Sequence, residues 1–185
     1  MRQALLLTAA VLSLAACNSE PEVEATNASV GEVAQQVSQA GTTESFVRPG
    51  KWESSVQFVS MDAPGMPESA RSMIRQMNDR RQVFTTCLKP DDVRKPKEDF
   101  FAGNKDGNCR YDHFKMGGGK IDAVMRCNQS GATQVMKLTG DYSPEAYAMQ
   151  MAMKSSGAPS GVHDMTMNMR VDARRVGECD GKDAD

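Results

Sequence analysis

From residue 50 onward the chain alternates apolar and polar side chains in short runs separated by turn formers. Trp52, Val56 and Phe58 stand against Glu53, Ser55 and Gln57, the two-residue period of a strand with one covered face, and Pro49-Gly50 marks the turn before it. The period then changes. Ala70, Met73, Ile74 and Met77 fall at i, i+3, i+4 and i+7, which predicts one amphipathic helix over 67–80. Pro67 suits the first helical position, Glu68 the positive end of the helix dipole, and Arg80 and Arg81 the negative end. "QVFTTCL" (82–88) returns to strand. A long polar excursion follows, in which Asp91 and Asp92 have the character of a helix-start or turn pair.

"CRYDHFKMGGGKIDAVMRC" (109–127) carries the clearest hairpin. A two-residue loop at Gly118-Gly119 needs positive φ at both positions, which glycine adopts without steric penalty. That register pairs Met116 with Ile121, Phe114 with Ala123 and Asp112 with Met125 on one face. The other face pairs Lys115 with Asp122, His113 with Val124 and Tyr111 with Arg126, and Cys109 falls opposite Asn128. Three more strands are expected at 133–142, 145–154 and 164–176. The fold class is therefore all-β with one inserted α-helix: a curved antiparallel meander of about seven strands, open as a half-barrel or closed into a barrel.

Two of these strands place methionine at every second position, Met149, Met151, Met153 and then Met165, Met167, Met169. Thioethers are soft ligands that suit Cu(I), and the candidate set for such a site is Met165, Met167 and Met169 with His163. The competing reading makes the methionines the inner wall of the sheet, because methionine fills irregular gaps and lines adaptable apolar pockets. Met116, Met125, Met136 and Leu138 hold apolar-face positions on other strands, and a local metal motif has no reason to recruit those. The inner-wall reading is therefore preferred. It makes Phe114 and these nine methionines candidates to face an acyl chain or another apolar ligand.

Catalysis finds little support. His113 and His163 are the only histidines, and neither sits in a nucleophile motif. Gly117 to Gly119 form a hairpin turn rather than a phosphate cradle. A non-catalytic binding or envelope-maintenance domain without a cofactor is the expectation.

The amino terminus, "MRQALLLTAAVLSLAAC", has a basic start, a short apolar run and a small-residue site ending in cysteine. That is a lipoprotein signal over 1–16, with Cys17 the lipidated residue. Several acyl chains on one residue anchor firmly where one holds weakly. Asn18, not aspartate, follows Cys17, which by resemblance to enterobacterial lipoproteins implies the periplasmic face of the outer membrane. Residues 17–46 are polar, acidic and poor in large apolar groups, and are expected to be a mostly disordered tether, with a helical turn or two at "GEVAQQVSQAG". Residues 182–185 are expected to be a flexible tail. Loss of 1–16 removes one cation, Arg2, and takes the net charge from −2 to −3, so nothing argues for nucleic acid. The partners expected are the membrane, an apolar small ligand or an envelope protein.

Four cysteines remain after Cys17, and an even count in an exported chain predicts two disulfides. With Cys109 opposite Asn128, the pairing Cys87–Cys109 and Cys127–Cys179 is preferred, and Cys109–Cys127 with Cys87–Cys179 is the alternative.

"RPGKWE", "CLKPDDV", the hairpin, "LTGDYSPEAYAMQM" and "MNMRVDARRVGEC" together resemble a bacterial family known as domain of unknown function 3617. The resemblance covers residues 47–181, which sets the expected domain. It implies exported, often lipid-anchored proteins, with no assigned activity and no catalytic residues to carry over.

Overall fold

The computed structural model describes residues 22–40, 46–78, 81–94, 108–129, 131–157 and 164–180. The signal segment, Cys17, His163 and the tail at 182–185 lie outside them. In chain order the elements are β1 (Val23–Ser29), α1 (Val30–Gln39), β2 (Gly50–Asp62), α2 (Glu68–Asn78) and β3 (Gln82–Leu88). There follow α3 (Pro90–Arg94), β4 (Asn108–Gly117), β5 (Lys120–Gln129), β6 (Ala132–Ser143), β7 (Ala146–Ser156) and β8 (Met165–Gly177). All strands join one antiparallel sheet in the order β1-β4-β5-β6-β7-β8-β2-β3. β4 to β8 are the expected meander. β1 and β3 are its two edges, so the sheet is open and not a closed barrel. α2 falls within the helix read from periodicity, and Asp91 and Asp92 sit in the first turn of α3, where Asp92 Oδ2 accepts from the Lys89 N–H at 3.2 Å.

The expected tether is corrected over residues 23–39, which form β1 and α1. β1 adds an edge to the sheet by pairing with β4, Val23 opposite Met116 and Ala25 opposite Phe114. α1 starts at a capping box. The Glu32 N–H donates to Ser29 Oγ at 3.2 Å, and the Ser29 N–H donates to Glu32 Oε2 at 2.6 Å. That backbone bond, with the Ser29 hydroxyl, holds the Glu32 carboxyl below its ordinary pKa. Val30, Val33, Ala34 and Val37 then form one buried stripe. Low average hydrophobicity does not prevent folding when the few apolar side chains share a helix face and an existing sheet offers them cover. The buried core lies here, between α1 and the inner face of β1, β4 and β5, with Phe114 at its centre.

Gly118 and Gly119 have φ of 55° and 71°, as the two-residue turn requires. Met116 faces Ile121, Phe114 faces Ala123, Lys115 faces Asp122 and His113 faces Val124. Beyond His113 the expected register is corrected by a bulge at Asp112. Tyr111, not Asp112, faces Met125, Arg110 faces Arg126, and Cys109 faces Cys127 rather than Asn128. The extra residue turns Tyr111 inward, where it meets the Phe114 ring edge-on at 5.3 Å. It leaves Asp112 outside, 2.8 Å from Arg126. The preferred disulfide pairing is therefore wrong. The bonds are Cys109–Cys127 and Cys87–Cys179. The second links strand ends that β2 brings together, since Lys51 lies opposite both Cys87 and Gly177.

Candidate functional site

The inner face of the sheet is covered at one end and open at the other. Where α1 meets the covered end there is a cavity of about 370 Å³. Val37 of α1 and Phe46 close it from above, and Phe114, Met116, Leu138 and Met151 are among the side chains of its floor. Trp52, Tyr142 and Tyr147 form an aromatic wall at the rim carrying the β4–β5 and β6–β7 turns. Trp52 stacks on Tyr147 at 5.7 Å and its indole N–H donates to the Arg48 carbonyl at 3.0 Å, while Phe46 meets Tyr142 edge-on at 5.3 Å. The large rings are thus fixed around a space rather than collapsed into it.

Gly140 of β6 lies opposite Met149, which lines the cavity. A Cβ there would lie 2.3 Å from the Ala148 carbonyl oxygen and 2.6 Å from Met149 Sδ, so only glycine lets β7 and the Met149 side chain approach β6 this closely. The one charged side chain among the described lining residues is Asp92. Tyr111, also in the wall, has its phenol pushed up to about 12 by burial, so it stays neutral.

Residues 47–179 match the family described as "Protein of unknown function (DUF3617)". The chain belongs to that family. No curated protein and no solved structure matches the chain. The DUF3617 match spans β2 to β8 and both disulfides, and it leaves out β1, α1 and Phe46. In this DUF3617 protein the segment outside the match therefore supplies the roof of the cavity.

The residues singled out from the sequence fall into three groups within the DUF3617 fold. Phe114, Met116, Met149 and Met151 line the cavity. Met125 is buried beneath it, and Met136 packs against the core. Met153, Met165, Met167 and Met169 share the same inner face but lie beyond the cavity, half-exposed. The wholly buried side chains are valines and a phenylalanine, so the β7 and β8 methionines face inward without being the core. His113 lies on the outer face, 3.0 Å from Asp122. Among the described residues no three His, Cys, Asp or Glu side chains converge on a point.

Sequence reasoning missed Val37, Phe46, Tyr142, Tyr147 and Asp92 as cavity residues. For the tyrosines a signal was present: both flank the β6–β7 turn at inward positions of the alternation.

Proposed function

We propose that this DUF3617 protein is a lipid-anchored, non-catalytic envelope protein that holds a slender, neutral apolar ligand, such as an acyl chain, in the cavity beneath α1. The observation that carries this reading is the cavity itself. Its volume falls in the lower part of the roughly 300–1,000 Å³ range of small-molecule pockets, and its walls are aromatic and aliphatic with few polar groups. Asp92 at the wall opposes an anionic head group, which favours a neutral ligand.

The leader supports the location. "LAAC" is a lipoprotein cleavage site, and Asn18 after it, by resemblance to enterobacterial lipoproteins, implies the periplasmic face of the outer membrane. Six Cα steps separate Cys17 from Val23, the start of β1, and span at most about 22 Å when fully extended. Val23 faces Met116, a cavity residue, so an anchor at Cys17 keeps the cavity rim close to the bilayer.

A native mass spectrum tests the reading. Residues 18–185 are exported behind a non-lipidating leader into an oxidising compartment and purified without detergent. Retention of one apolar small-molecule mass per chain is the expected result. A chain that is bare and takes up no added monoacylglycerol would exclude it.

A further inference from the structure

The middle of β7 and β8 holds two adjacent cross-strand methionine pairs on the inner face, Met151 opposite Met169 and Met153 opposite Met167. The neighbouring strands extend one rung: Met136 lies opposite Met153 on β6, and Met61 lies opposite Met167 on β2. That rung is methionine on four consecutive strands. All six side chains are half-buried, whereas Met116 and Met125 are buried. A wall that packing alone required would be served by leucine, which has fewer torsions to restrain.

Geometry favours a ligand shared across two strands over one held by three methionines of a single strand. Directly opposed residues have Cβ atoms about 5 Å apart, and successive same-face residues on one strand stand roughly 7 Å apart. Four flexible thioethers at the corners of such a rectangle can turn their sulfurs to one point above the sheet. Met165 and Met169, by contrast, are roughly 13 Å apart along β8, too far to share one ion with Met167 between them. One sulfur of the rectangle already has its lone pairs turned to a polar group, since Gln134 Nε2 lies 2.7 Å from Met153 Sδ.

We infer that Met151, Met153, Met167 and Met169 form a thioether site for a soft monovalent cation, Cu(I) or its chemical congener Ag(I). Neutral sulfur donors select such ions over hard divalent ones. The site lies towards the open end of the inner face and shares only Met151 with the cavity lining, so it does not rest on the apolar-ligand reading.

The test uses Ag(I), which needs no reductant and so leaves both disulfides intact. The exported chain is labelled at its methionine methyl groups and titrated while their NMR signals are followed. One equivalent is expected to shift the signals of Met151, Met153, Met167 and Met169 and to leave Met116 and Met125 in place. The double variant Met153→Leu with Met167→Leu is expected to weaken binding roughly 100-fold, about tenfold per lost donor, while keeping the urea unfolding midpoint of the parent chain. Should the double variant not fold, each single variant is expected to weaken binding about tenfold. Unmoved methyl signals, or affinity unchanged in the variants, would overturn the site. So would a site that depends on His163 and not on the β7 methionines.

Discussion

Val33 is fully buried on α1, in a segment whose composition alone predicts a disordered tether. Replacing it with alanine removes two methyl groups from a packed site. At about 0.8 kcal/mol for each buried carbon the transfer loss is about 1.6 kcal/mol, and an incompletely collapsed cavity brings the total to about 2–3 kcal/mol. The assay is equilibrium urea unfolding with both disulfides intact, read as a shift of midpoint at constant slope. Ser29→Ala, which removes the cap, is expected to cost about 1 kcal/mol in the same assay. Because the Glu32 carboxyl is held below its ordinary pKa, the contribution of this cap is present above the unfolded carboxylate pKa. It is lost as pH falls through the lowered folded value. On a tether neither substitution would matter. A Val33→Ala effect below about 0.5 kcal/mol, the range of unconstrained surface changes, would refute the assignment of α1 to the domain.

Three other outcomes follow from the packing. Gly140→Ala forces β6 and β7 apart, because its Cβ meets the Ala148 carbonyl at 2.3 Å, and should destabilise the domain by about 1–3 kcal/mol in urea. Tyr111 should titrate near 12 when followed by phenolate absorbance. Its raised pKa means that stability is full below about pH 10 and falls by about 3 kcal/mol as pH rises through the folded value, a loss that Tyr111→Phe should remove. Non-reducing peptide maps should show Cys87 joined to Cys179 and Cys109 to Cys127. Removing the longer-range bond should cost about 4–5 kcal/mol against about 3 kcal/mol for the hairpin bond, by loop length.

β2 to β8, α2 and the glycine turn were legible because each is written in local periodicity. Two errors have separate physical causes. Averaging composition over residues 17–46 hid the Ser29-x-x-Glu32 box and the valines at positions 30, 33 and 37, which are sufficient for a capped helix once a sheet is there to cover it. The bulge at Asp112 was also encoded: Tyr111 and Phe114, both apolar, are three positions apart where strict alternation allows two or four. Inserting one residue there brings Cys109 opposite Cys127 and resolves the disulfide pairing. The cavity could not be read this way. It depends on how far α1 stands from the sheet and on which rings meet across six strands, and neither quantity has a local signature.

The cavity carries the functional reading, and Trp52 reports on it directly. It is the only tryptophan in the chain and it lines the space beneath α1. A monoacylglycerol brominated along its chain quenches an indole only at contact. A neutral apolar ligand seated beside Trp52 predicts saturable quenching that ends at one equivalent and reverses on displacement by the unbrominated lipid. Fluorescence that stays constant, or falls without saturating, would contradict a ligand cavity and leave the aromatic wall as packing alone.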